Sequence, residues 1–385
     1  MARDETRIRL CFTVDAAYAG GAERYVYLLA SSLDREAFEP MVLAKTNPAL
    51  DGWCARLEEA GVAVSRTPMD VRKRPRDLVG IWDALRRAAP RVVHVNMPGP
   101  YDGQMALVAP LARMAGAAGV AVTEHLPRVE RLWKRALVKS AAYSFVDRAL
   151  TVSRSNARYL VERQGAQRSK TEVVYNGIPG SYGRRRAEWR GGMRALLGLR
   201  EGEVGIAFVG SLVERKGLGI LLEALGGLAG SSWRLVVVGG GDGRAEYERL
   251  AGALELGGRA AFLGEIPEAE VEKVLAGSDV LALPSYMEGL PYVVLEAMAC
   301  SLPVVASDVD GIPEAAPDGT AGLLVPPGDP AALAAALSRL LSDAALRAAL
   351  GTAARERFDR LFTLERHVAR MESIYAELAG AAGPR

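Results

Sequence analysis

Cysteine is scarce: Cys11, Cys54 and Cys300 are the only three in 385 residues, and they lie far apart. An odd, sparse set excludes a disulfide framework and fits a reducing compartment. No CxxC or Cys/His spacing suggests structural zinc. A charge excess of either sign is also missing: the formal net charge is +2, so no global field argues for nucleic acid. The basic residues are scattered and lack the interleaved aromatics of a base-stacking surface. No uncharged apolar run approaches the ~18 residues a membrane span needs. The first residues, MARDETRIRL, are charged and lack the apolar core of a signal peptide, which leads to the expectation of a cytoplasmic protein. Histidine is rare as well, with only His94, His125 and His367.

What is present is a long, half-hydrophobic chain able to bury two or three cores. Short apolar runs alternate with helical patterns. Strands are expected over 8–14, 41–44, 62–65, 91–95, 120–123, 148–152 and 171–174, with helices between them, including a long one over 129–145. Residues 175–194 break the rhythm with Asn176-Gly177, Pro179-Gly180, Arg184-Arg185-Arg186 and Gly191-Gly192, and read as a linker. Strands resume at 204–209, 234–238, 260–263, 280–283, 303–307 and 322–325. The segment 364–378 is amphipathic, with Val368, Met371, Ile374, Tyr375 and Leu378 on one stripe. Strict alternation means parallel sheets covered on both faces, so the fold class is α/β: two doubly wound Rossmann-like domains facing a deep cleft. The expected division is 1–178, 179–362, and a terminal helix over 363–385 crossing back onto the first domain.

The stretch PSYMEGLPYVVLEAMAC at 284–300 follows one buried strand and opens a helix, with Pro291 suited to its first turn. Glu288, in a loop over 288–291, and Glu296, inside the helix expected over 292–299, frame it. Eight helical residues would separate them by roughly 12 Å and roughly 80°. A helix N-terminus lies between, a ready place for phosphate, flanked by carboxylates suited to hydroxyl groups on either side. Arg215 and Lys216 also stand where a strand passes into a helix, and an anion against both would relieve their conflict with the helix dipole. Gly20-Gly21 closes a third strand-to-helix loop, 15–21. All three loops fall at the carboxyl ends of strands, where doubly wound sheets bind ligands.

These stretches together resemble the retaining, two-domain (GT-B) enzymes of glycosyltransferase family 4. The matching text is GGAERYVYLLASSL at 20–33, VVHVN at 92–96, TEH at 123–125, TVSRSNA at 151–157, VVYNGI at 173–178, GSLVERKG at 210–217, the 284–300 stretch, and LPVVASDVDGIPE with DGTAGLLVPPGD within 302–329. The resemblance implies that Arg215 and Lys216 hold a donor diphosphate and that Glu288 contacts hydroxyls of the transferred sugar. It implies that the amides of Gly289 and Leu290 hold the distal phosphate and that Glu296 takes the ribose. Gly20 and Gly21 would close over the donor phosphates, His125 would lie near the transferred sugar, and the base would sit by Gly264-Glu265-Ile266. Glu288, Lys216, Arg215 and His125 are thus the expected catalytic group. Ser211 stands where the family often has a phosphate-binding arginine, and Arg215 is expected to supply that charge. Ser301 and Asp310 each replace a common glycine. Asp308-Val309-Asp310 imitates a metal-binding DxD and reads as a coincidence, so no metal and no cofactor are expected.

The implied activity is metal-independent transfer of a sugar, with retention, from a nucleotide-diphosphate sugar such as UDP-glucose or UDP-N-acetylglucosamine to a hydroxyl acceptor bound by the first domain. An epimerase or sugar phosphorylase of the same fold is the alternative, and a dinucleotide-dependent oxidoreductase, suggested by VVVGGGDG at 236–243, a remote one. His94 fits core packing or cleft lining equally, and His367 is expected in solvent. Arg128, Arg131, Lys134, Arg135 and Lys139 alternate with apolar residues over 128–139, a pattern suited to a solvated face, an anionic acceptor, or peripheral contact with an anionic membrane.

Overall fold

The computed structural model describes residues 7–71, 73–99, 107–126 and 139–380. They form two compact units, one made of residues up to Asn176 together with the terminal helix from Leu364, the other of Gly177–Thr363.

The first unit is built on seven strands: β1 Ile8–Val14, β2 Phe38–Lys45, β3 Ala63–Thr67, β4 Val92–Met97, β5 Gly119–Glu124, β6 Arg148–Thr151 and β7 Thr171–Val173. Their order is β3-β2-β1-β4-β5-β6-β7, with every pairing parallel. Every residue of β4 and β5 is buried. A parallel sheet with helices on both faces has no solvent side, so even the polar side chains of His94, Asn96, Thr123 and Glu124 on these strands are buried.

The second unit repeats the plan with β8 Val204–Val209, β9 Trp233–Val238, β10 Ala260–Gly264, β11 Val280–Leu283, β12 Val304–Ser307 and β13 Gly322–Val325, in the order β10-β9-β8-β11-β12-β13. Strand order reverses between β8 and β11, which pair in parallel through Val280 with Ile206 and Leu281 with Ala207. The loops that leave their carboxyl ends, 210–217 and 284–291, are therefore neighbours at a topological switch point, where such sheets bind ligands.

Two expectations need correction. Residues 175–194 are not all linker, since Arg186–Leu196 is a helix. It carries Gly191-Gly192, which weaken it by about 1 kcal/mol each. Tertiary contacts hold it: Arg190 and Arg194, one turn apart, both bind Asp279, which also accepts the Gly205 N–H at 2.7 Å. His367 is not in solvent. It is 5% exposed, with Nδ1 2.8 Å from the Tyr175 carbonyl. The helical period explains the burial, because 367 falls on the same stripe as Met371, Ile374 and Tyr375, all fully buried. Most of the helix expected over 129–145 lies outside the described residues.

Candidate active site

Glycine geometry first brings the loops of the second unit together. Gly217 has φ 72°, and a Cβ there would stand 1.9 Å from the Pro284 carbonyl oxygen. Only glycine permits that approach. It lets Tyr286 N–H bond the Arg215 carbonyl at 2.8 Å and Arg215 Nη1 reach the Met287 carbonyl at 2.7 Å. The run Gly239-Gly240-Gly241 has a similar purpose. A Cβ on Gly239 would come 2.0 Å from the Gly210 carbonyl oxygen, and Leu212 N–H bonds the Gly240 carbonyl at 2.7 Å. The glycines that suggested a dinucleotide fingerprint seat one loop against another.

Glu288 sits at the centre, 5% exposed. Its Oε1 accepts from Lys216 Nζ at 2.6 Å and from Ser285 Oγ at 2.8 Å. Arg215 Nη1 lies 3.9 Å from Oε2, which accepts no hydrogen bond among the described residues. The backbone N–H of Glu288 donates to Asp310 Oδ2 at 2.9 Å. A carboxylate this buried needs such partners, because desolvation penalises the charge unless it is paired and hydrogen-bonded. Arg215, Lys216 and Glu288, chosen from sequence, are thus in contact, with Ser285 and Asp310 added by the structure.

The loop over 288–291 and the helix over 292–299 fall where the sequence places them, and only the span reckoned for eight helical residues between the two glutamates changes. Pro291 is the N-cap, and the helix is Tyr292–Ala299, so Glu288 lies in the loop and only the segment from 292 to Glu296 is helical. No side chain caps this helix. Glu296 is 2% exposed and Leu290 3%. Gly289 and Ile266 are half-buried, and Ser211 is exposed. Asp310 has φ 50° and Ser301 φ 54°. Both family glycines that this chain lacks are therefore at left-handed positions, which glycine occupies without strain. Among the described residues no three His, Cys, Asp or Glu side chains group as metal ligands.

The first unit holds the remaining sequence candidates. Gly20 caps helix Gly21–Ser32, and its N–H bonds Glu23 Oε2 at 2.8 Å. His125 follows β5 and is 9% exposed. Its Nε2 lies 2.8 Å from Asn96 Oδ1, while Asn96 Nδ2 faces the Ala22 carbonyl at 3.4 Å, so Nε2 carries the proton. Asn156 Nδ2 donates to the His125 carbonyl at 3.0 Å. Asn96 and Asn156 had no expected role, although both stand inside matched stretches, VVHVN and TVSRSNA.

All three histidines pack around one ring: Tyr25 lies edge-on to His94, His125 and His367, with centroids 6.1, 4.8 and 5.1 Å away. His94 is a core residue, bonded to Tyr375 Oη at 2.6 Å and Thr123 Oγ1 at 2.7 Å. Burial, then repulsion from the other histidines, lowers His94 to about 3. Burial and His367 lower His125 to about 3. Burial lowers His367 to about 4 against the opposing Tyr175 hydrogen bond. All three are neutral near pH 7.

Of the basic set over 128–139, only Lys139 is among the described residues, and it is buried. Its Nζ is 2.6 Å from Glu124 Oε1, which also accepts from Tyr143. Lys139 is therefore spent on a buried carboxylate and cannot serve a surface.

Two Rossmann-like parallel sheets, one per unit, define the GT-B class of glycosyltransferases. Two family models match the chain, Glycosyltransferase Family 4 over residues 19–181 and Glycosyl transferases group 1 over residues 193–357. The D-inositol 3-phosphate glycosyltransferase of Nocardia farcinica is 30% identical over 360 residues, 84% of this chain and 78% of that protein. Its counterpart from Salinispora arenicola is 34% identical over 256 residues, 62% of this chain and 56% of that one, so this match spans little more than half of the relative. The chain belongs to glycosyltransferase family 4 and is a glycosyltransferase. Solved structures agree in fold. Anabaena HepE in complex with UDP superposes with a TM-score of 0.83 at 19% identity, over 96% of this chain and 100% of that one. Sucrose-phosphate synthase from Thermosynechococcus elongatus gives 0.81 at 24%, over 98% and 100%. Among the described residues no helix is long and apolar enough to cross a membrane.

Proposed function

We propose that the second unit binds a UDP-sugar and that the enzyme transfers the sugar, with retention and without a metal ion, to a hydroxyl acceptor held by the first unit. The observation that carries this reading is the contact of Lys216, Arg215 and Glu288 at the switch point between β8 and β11. A diphosphate there meets two cations and the start of helix Tyr292–Ala299, which together stabilise its leaving charge. Glu288 Oε2 is the carboxylate oxygen left for a sugar hydroxyl, and Glu296 is assigned to the ribose. Gly289 and Leu290 offer amides to the distal phosphate, and Ser211 and Ile266 border the phosphate and base. From the first unit we assign Gly20, Gly21 and His125 to substrate contacts.

In the reaction the bond from the anomeric carbon to the diphosphate breaks, and a bond to the acceptor oxygen forms on the same face. The acceptor proton passes to a diphosphate oxygen. Neutral His125, with its proton held on Nε2 by Asn96, is a hydrogen-bonding group rather than a cation at neutral pH. Support for the nucleotide comes from HepE, solved with UDP and with UDP-glucose. The names of the sequence relatives make D-inositol 3-phosphate the first acceptor to try. The test is UDP release from a panel of UDP-sugars with that acceptor in excess EDTA. Full activity is expected, and strict dependence on an added divalent ion overturns the metal-free reading and returns attention to Asp308 and Asp310.

A further inference from the structure

Two residues of this chain hold left-handed conformations where its family commonly has glycine, and they differ in what they gain. Ser301, φ 54°, ends helix Tyr292–Ala299, and its N–H bonds the Met298 carbonyl at 2.9 Å, an interaction any residue makes. Asp310, φ 50°, uses its side chain: Oδ2 accepts the Glu288 N–H at 2.9 Å, across 22 residues of sequence. Glycine would relax the backbone at 310 and forfeit that bond. Aspartate is among the few side chains that tolerate the left-handed region, so the position keeps a strained residue able to make the contact.

The contact falls on the backbone of Glu288, whereas its other anchors fall on the carboxylate. Lys216 and Ser285 fix the carboxylate through Oε1, and Asp310 fixes the backbone. Held at both ends, the side chain has little freedom to redirect Oε2. We propose that Asp310 is a positioning residue that sharpens recognition of the transferred sugar by fixing Glu288 from the loop after β12. This inference rests on the assignment of Glu288 to the sugar. It makes the second aspartate of Asp308-Val309-Asp310 a hydrogen-bond acceptor within the protein instead of a metal ligand.

The test is calorimetric titration, in EDTA, of UDP, UDP-glucose, UDP-N-acetylglucosamine and UDP-galactose into the full chain and into Asp310→Gly, Asp310→Asn and Ser301→Gly. Both glycine variants relieve the same backbone conformation, so Ser301→Gly controls for that relief. Asp310→Gly is expected to leave the Kd for UDP within about two-fold and to weaken the preferred UDP-sugar by about five-fold or more, the loss of one positioning hydrogen bond. Preference among the three sugars narrows with it. Asp310→Asn, whose amide oxygen accepts the same N–H, retains the native preference, and Ser301→Gly behaves as the native chain. Native sugar preference in Asp310→Gly overturns the inference. So does an equal change in Ser301→Gly, or a loss for UDP that matches the loss for UDP-sugars. Failure of the native chain to bind UDP rejects the proposed function, and the inference falls with it.

Discussion

Replacing Lys216 by alanine removes the cation that reaches Glu288 Oε1 at 2.6 Å. The pair is mostly out of solvent, with side chains 14% and 7% exposed. Two effects follow, with separate magnitudes. Glu288 keeps the Ser285 hydroxyl and gains no nearer cation, because Arg215 Nη1 stays 3.9 Å from Oε2. Truncating one partner of a fully buried ion pair costs ~3–5 kcal/mol, and residual exposure brings this case to about 2 kcal/mol of stability. The catalytic effect is larger. If Lys216 contributes one charge-assisted contact to the departing diphosphate, about 3 kcal/mol is lost in the transition state, or about 100-fold in turnover. The assay is UDP release at saturating UDP-sugar and acceptor, run well below the melting temperature of the variant so that unfolding does not imitate a catalytic loss. Turnover within about three-fold of native, with the melting temperature lowered, would show that Lys216 serves only Glu288. The diphosphate assignment would then be refuted.

The loop contact and the histidine cluster give two further predictions. Gly217→Ala forces a Cβ to 1.9 Å from the Pro284 carbonyl at φ 72°, and is expected to cost about 3 kcal/mol or more and abolish UDP binding; a native melting temperature and UDP affinity would contradict the loop packing. The second concerns pH. His94, His125 and His367 stay neutral in the folded chain down to about 3, 3 and 4, whereas unfolded histidine takes up its proton near 6.5. The unfolded state therefore binds more protons below that value. Stability is fully present above it and falls as pH drops toward the folded values, by on the order of 4 kcal/mol per unit where all three contribute. Urea unfolding of the first unit between pH 7 and 4.5 measures the slope. His367→Asn should reduce it by about a third, and a slope unchanged by that substitution would show that His367 is not held neutral.

The fold was legible wherever burial on both faces makes a strand a plain apolar run, as in β8 and β11. Loops at strand ends carried the site because glycine, proline and charge cluster there. What escaped was decided by contacts distant in sequence. Helix Arg186–Leu196 has turn-like composition and depends on Asp279, 89 residues from Arg190. The ~12 Å separation of Glu288 and Glu296 assumed helix throughout, although the loop over 288–291 and the helix over 292–299 were themselves legible from Pro291. His367 looked polar in isolation, although its place on the stripe of Met371 and Tyr375 marked it for burial. Asp310 stood out as a missing glycine, but its bond to Glu288 has no local signature. Lys139 could not be separated from its basic neighbours without sight of Glu124.

The central claim is that the loops after β8 and β11 hold a nucleotide diphosphate without a metal. Amide hydrogen exchange of the full chain, with and without UDP in EDTA, tests it most directly. Added protection at 210–217 and 286–296, saturating with UDP, is the predicted result. Protection that appears only with a divalent ion, or that leaves both segments unchanged, would contradict it.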